Sequence, residues 1–567
     1  MRLSSLLSVS ALICGMVQPL QADNFYGDIL AGRSALNAYD FATAERYFAL
    51  AYSLDPTNLR VADALLTTQG ANGDFAAALP IAKTLADQGE NNPVAGVTLL
   101  VDAANRGDWE GIKAVVTAQQ SPVPEVDKVF LGWAEIGLGN KDAGLAEFDT
   151  LARQDGSEVM ATYHKALALA FLGDFAGADA VLTSPDGLKV IDTRRGLLIK
   201  AEVLSQLGRG SEAADLLGQL LGEGDQPPVD ALITQLKTGM TLPFSIITSP
   251  KDGIAETFHT LQSAMNERTP APYVITMGRA ALALRPDHTD AKLVVAQLLE
   301  TINREADAVA IYDSVPKGDL AYHAAQLGKS SALVKLDRQD EAQTTLMGLA
   351  KDYPDLVETY VNLGDIYRIS ERYVECVGAY DTALELFAKT GTDYWPAYFY
   401  RGMCHERLKD WDKAEPDFRK ALELQPNQPQ VLNYLGYSYV EQNANLDEAL
   451  MLIKRAVAAA PDSGYIIDSL AWAYYRLGRY AEAVLPMEQA VYLTATDPVM
   501  NDHLGDIYWA VGRKREAQFQ WERALVFNPD AADLLRIKRK LEVGLDQVLQ
   551  EEGGRAIRPA DDAGGDL

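Results

Sequence analysis

Four small residues, Gly402, Gly436, Ala471 and Gly505, stand 34, 35 and 34 residues apart. Twelve or thirteen residues after each comes an alanine (Ala414, Ala449, Ala483, Ala517), and seven further on another (Ala421, Ala456, Ala490, Ala524). Proline closes three of the four units, at Pro426, Pro461 and Pro529. A period of this length with small residues at fixed offsets belongs to helix pairs stacked in a row, each burying its apolar face against its neighbours. At 567 residues the chain exceeds one ordinary core, and the repeat decides for a solenoid.

The offsets have a steric meaning. Where two antiparallel helices approach, Gly or Ala leaves room for the partner, and large residues such as Leu435, Tyr439, Ile453, Tyr508 and Trp521 fill the flanking holes. Proline cannot continue the second helix, so the chain turns into the next unit. This succession of Leu-Gly, Tyr, Ala, aromatic, Ala and Pro resembles the tetratricopeptide repeat family. The segment "DPVMNDHLGDIYWAVGRKREAQFQWERALVFNP" matches that pattern at nearly every signature place. The resemblance is strong over 357–531 and looser before 350. It implies an all-α fold, a right-handed superhelical solenoid of antiparallel helix pairs in two blocks, with roughly thirteen to fifteen units.

Taken in order, residues 1–22 read as a secretory signal: Arg2, an apolar run from Leu3 to Val17, and small Ala22 at the expected cleavage point. For a bacterial chain this means the periplasm. Cys14 is not read as a lipid attachment site, because bulky Ile13 stands where a small residue is needed. The N-terminal block spans 23–221; Gly32, Ala44, Phe48, Ala51 and Pro56 repeat the C-terminal offsets, and turn glycines Gly73, Gly107, Gly139, Gly173 and Gly208 recur every 32 to 35 residues. Between 222 and 272, "GEGDQPPVD" and "TLPFSIITSPKDG" gather Pro, Gly and β-branched residues, predicting an irregular junction, a hinge or a contact loop, with helices at 229–237 and 254–267. The C-terminal block spans 273–531, a capping helix 532–551, and a tail 552–567 that is expected to be disordered. No later apolar stretch is long enough to span a membrane.

The formal net charge of −28 argues against a nucleic-acid partner and against an anionic membrane surface. Cys376 and Cys404 fall on adjoining repeats; a bridge is permitted in an oxidising compartment, but plain burial of two small thiols is the favoured reading. Six histidines are scattered with none at metal-ligand spacing, and no HExxH, phosphate loop or GxSxG elbow occurs. Asp502 and His503, being adjacent on a helix, point in different directions. No catalytic residue, metal or cofactor is assigned, and the chain is not read as an enzyme.

In the family that the pattern resembles, the first helix of each pair lines the concave side. That register assigns Phe399, Tyr400 and Arg407 to the lining, then Asn433, Tyr434 and Tyr437, then Asp468, Trp472, Tyr475 and Arg476, and finally Asp506 and Trp509, with Glu406, Glu441, Tyr465, Asp502 and His503 among them. Rigid aromatics bury much area at small entropic cost, so such a lining suits an extended peptide or a helix. The competing explanation is that several of these rings stack on the neighbouring repeat. A carboxylate clamp is not matched, because these four repeats offer no lining Lys. The resulting expectation is an exported non-catalytic scaffold or adaptor that binds envelope proteins, or their peptides or helices, in cell-envelope assembly. The alternatives are a regulatory subunit recruiting a peptidoglycan enzyme, and a glycan- or small-ligand-binding protein.

Overall fold

The computed structural model describes residues 25–221, 227–265, 268–553 and 557. The signal expected at 1–22, and nearly all of the tail expected at 552–567, lie outside them. Among the described residues there are 32 α-helices, one short 3-10 turn at Pro124–Val126, and no strand. The chain forms two compact units, Met1–Leu356 and Val357–Leu567. The division therefore falls after residue 356, and the irregular stretch at 222–272 lies inside the first unit.

Local chemistry sets the hairpins. The turn glycines at 73, 107, 139, 173 and 208 all take left-handed backbone, with φ between 65° and 88°. The Asp that follows Gly73, Gly107 and Gly173 then caps the second helix. Asp74, Asp108 and Asp174 each accept from the backbone N–H three residues on, at 2.8 to 2.9 Å.

The second unit holds five hairpins. Their first helices are Val357–Ile369, Trp395–Arg407, Pro429–Glu441, Gly464–Arg476 and Pro498–Ala510. Their second helices are Tyr373–Thr390, Trp411–Leu424, Leu446–Ala459, Tyr480–Leu493 and Lys514–Val526. Ala531–Val543 and Leu545–Glu551 close the array, so the expected single cap is two helices. The small residues work as their spacing implies. A Cβ on Gly402 would stand 2.8 Å from Phe418, and one on Gly505 would stand 2.4 Å from Trp521, with the Ala517 carbonyl oxygen at 3.1 Å. Each glycine thus admits both a bulky ring and the partner backbone. Cys376 and Cys404, read above as two buried thiols, instead form a disulfide (Cα–Cα 6.4 Å). The hairpin packing brings the second helix of one repeat against the first helix of the next at just these residues.

The first unit departs from a simple row. Pro250–Ala264 packs on the first helices Asp127–Gly137 and Glu158–Phe171, and Ala271–Leu284 packs on Leu59–Asn72 and Pro93–Arg106. Gly253 makes the crossing possible, since a Cβ there would stand 2.1 Å from the indole of Trp133. Phe258 meets Phe130 at 5.5 Å between ring centroids, and Tyr273 donates to the Pro122 carbonyl oxygen at 2.9 Å. The first-helix face of this unit is therefore filled by the unit's own chain.

Candidate functional site

In the second unit, successive first helices are tied to each other by side chains, so they present one common face. Tyr434 Oη donates to Glu406 at 3.2 Å, Trp472 Nε1 to Glu441 at 3.4 Å, and His503 Nδ1 lies 2.9 Å from Asp468. Arg476 joins Glu441 at 3.2 Å. These bonds use lining positions, which sorts the predicted residues into three groups.

One group surrounds an open cleft of about 450 Å³ between the second and fourth hairpins. Arg407, Asn433, Tyr434, Tyr437 and Asp468 line it, together with Glu406, Glu441 and the exposed Tyr465. Asn433 Oδ1 is buried and accepts no hydrogen bond among the described residues. Burial, and behind it Glu406, pushes the Tyr434 phenol up to about 12; burial and Glu441 raise Tyr437 as well. Both therefore remain O–H donors at physiological pH.

A second group is spent on packing. Phe399 is buried against Phe418 and Tyr434 and belongs to the core, not to the lining. Tyr400 stacks on Tyr380 under the Arg368 guanidinium. Trp472 is sandwiched between Tyr475, at 4.7 Å, and His503, at 3.9 Å, both at 15°. The competing explanation, stacking on the neighbouring repeat, is the one that holds for these rings. Burial would lower the His503 pKa, but Asp468 and then Asp502 and Asp506 raise it instead.

The third group is covered by the chain's own C-terminal helices. Lys540 is fully buried and donates to both oxygens of Asp502 and of Asp506, at 2.7 to 2.8 Å. Burial, and then the neighbouring Asp506, pushes Asp502 up to about 6 despite that lysine. Trp509 donates to Asp546 at 2.9 Å, and a Cβ on Gly544 would stand 2.5 Å from its ring. Two lysines do reach this face, against the expectation of none: Lys409 lines the cleft from the turn after Trp395–Arg407, and Lys540 arrives from beyond the four repeats, where the spacing rule could not place it.

The first unit contains a polar centre with no local sequence signature. Glu256, fully buried, accepts from Tyr163 Oη at 2.8 Å and from Arg195 Nε at 3.0 Å, and lies 3.0 Å from His288 Nε2. Arg195 also reaches Asp290 at 2.7 Å. Burial alone would raise Glu256, yet Arg195 and His288 hold it well below the carboxylate range. A cavity of about 310 Å³ borders this centre. Its bonded partners stand up to 95 positions apart and converge because Pro250–Ala264 crosses the earlier helices.

Two tetratricopeptide repeat family models match this chain, one over 355–427 and another over 405–464 and 435–498. The chain is 28% identical over 213 residues to a tetratricopeptide repeat-containing protein of Pseudomonas aeruginosa, covering 37% of this chain and 35% of that one. It is 24% identical over 265 residues to a repeat protein of Caenorhabditis elegans of the same description, covering 45% and 32%. The matches thus span about a third of the length of these curated relatives. Among solved structures it is similar to a chain of the APC/C Cut9–Hcn1 hetero-tetramer (15% identity, 92% of this chain and 96% of that one, TM-score 0.38). It is also similar to yeast Tom70 (14% identity, 75% and 96%, TM-score 0.36).

Proposed function

The chain is a tetratricopeptide repeat protein, and on that premise we propose that it is an exported, non-catalytic scaffold that holds a peptide or helix of an envelope protein in the cleft between Arg407 and Asp468. The observation that carries this reading is the open cleft itself, where Arg407, Asn433, Tyr434, Tyr437 and Asp468 from successive first helices meet. The two tyrosines supply flat area, and their phenol oxygens, whose hydrogens go to Glu406 and Glu441, can accept from the N–H groups of a peptide. Export is supported by the apolar run Leu3–Val17 ahead of Ala22, and a disulfide between Cys376 and Cys404 suits an oxidising compartment. The exposed ring of Tyr465 beside the cleft also suits stacking on a sugar, which keeps a glycan ligand as the second reading.

Proximity labelling from the full chain tests the scaffold directly. Asn433→Ala/Tyr437→Ala should lose its main labelled proteins by tenfold or more while its melting is unchanged. Equal labelling by wild type and variant would sink the assignment of the cleft. Recovery of one peptidoglycan enzyme would narrow the role to recruitment, and oligosaccharide binding by the purified chain would favour the second reading. N-terminal sequencing of the mature protein should begin at Asp23.

A further inference from the structure

The outer face of the last hairpins carries a ladder of large apolar side chains that the cleft does not use. Five residues before the buried alanines Ala383, Ala421, Ala456, Ala490 and Ala524, the repeats place Gly378, Pro416, Met451, Leu485 and Phe519. Two residues after the same alanines stand Glu385, Glu423, Ala458, Tyr492 and Val526. Both rows become more apolar toward the C-terminal repeats. Leu485 is 75% exposed, Tyr492 84%, Phe519 67% and Val526 72%. With Met451 they present on the order of 600 Å² of apolar surface, the upper end for a monomer's largest patch.

We propose that this outer face of Tyr480–Leu493 and Lys514–Val526 is the contact through which two copies of the chain pair about a two-fold axis. The two helices hold equivalent places in successive hairpins and run in the same direction. A two-fold axis lying in the interface and perpendicular to both sets each helix antiparallel on its own counterpart in the second copy. Leu485 then faces Tyr492 of the second copy, and Phe519 faces its Val526, each contact made twice. The area removed from water is on the order of 1,200 Å², the lower edge for a specific interface. Charge permits the pairing. The acidic neighbours Glu482 and Glu488 are bound within their own chain by Arg479, at 2.5 Å, and Arg513, at 3.0 Å. Two chains of net charge −28 therefore meet here without facing unpaired carboxylates on Tyr480–Leu493. On Lys514–Val526, Glu522 falls opposite Arg523 of the second copy.

Light scattering on the purified full chain at micromolar concentration, with sedimentation equilibrium, tests this surface independently of the cleft. The expected mass is that of two chains, falling to one for Leu485→Glu/Phe519→Glu and for the milder Tyr492→Ser/Val526→Ser. Both variants should keep the wild-type helical circular dichroism, since all four residues are exposed. A wild type of one chain mass overturns the proposal, including the case where the face serves a different protein. A two-chain mass retained by both variants overturns it equally.

Discussion

Trp472 lies flat on His503, their ring centroids 3.9 Å apart at an interplanar angle of 15°, while the His503 imidazole holds Asp468 at 2.9 Å. The three residues come from two successive first helices, so the same contact that stiffens the face also decides how much charge Asp468 shows to the cleft. A protonated imidazole satisfies Asp468 and is attracted to the indole face. A neutral one gives up the charge in both contacts.

This pair predicts a pH dependence. Because the folded state raises the His503 pKa above the ordinary 6.5, its stabilisation is fully present below about pH 6.5 and is lost as pH rises through the folded value. Urea denaturation followed from pH 6 upward should show falling stability in wild type and a flatter profile in His503→Gln. An unchanged slope in the variant would remove His503 from the account.

Lys540 is the charge on which the last repeat closes. Lys540→Met leaves Asp502 and Asp506 facing each other in a buried site, a loss of about 3–5 kcal/mol. Adding Asp502→Asn should restore part of it, because one of the two opposing charges is gone. Hydrogen exchange should locate the loosening in 498–551; global softening, or none, would contradict the local role.

Glu256 behaves in the opposite sense. Its folded pKa is depressed below the ordinary 4.5, so its contribution is present above about pH 4.5 and is lost as pH falls through the folded value. Glu256→Gln should destabilise the first unit at neutral pH by about 3 kcal/mol or more, since Arg195 loses a buried partner. The acid limb of its unfolding curve should be shallower than in wild type. Thermal melts between pH 3 and pH 7 read both effects.

The disulfide should matter locally. Joining residues 28 apart, it removes loop-closure entropy of about 3–4 kcal/mol from the unfolded chain. It also spans the long connection between Tyr373–Thr390 and Trp395–Arg407. In a repeat array, where each unit leans on its neighbours, a Cys376→Ala/Cys404→Ala chain should first become protease-sensitive near 390–394. Adding reductant to that variant should change nothing further, whereas adding it to wild type should reproduce the variant.

Much of the architecture was readable from residue order, because hairpin packing is local. Gly402 must face Phe418 and Gly505 must face Trp521 whatever the rest of the chain does, and the spacing records that need. The family resemblance carried by that spacing implied which helix face holds Asn433, Tyr437 and Trp472. It could not divide that face into open and spent parts, since this depends on how closely one first helix lies on the next. Tyr437 lines a cleft, while Trp472 is taken up by His503 and Tyr475.

Long-range placement belongs wholly to the tertiary structure. Pro250–Ala264 has an ordinary helical composition, and only its seating against Trp133 and Tyr163 turns Glu256 into the centre of a buried ionic network. Lys540 likewise reads as one cation of a solvated cap until the chain's end folds back over Asp502 and Asp506. Residue order alone therefore determined the repeat, its turns and its small-residue contacts, all of which act within some forty residues. The cleft, the filled face of the first unit and the buried charges were decided by the fold, because burial and pairing are properties of neighbours that the local period does not encode.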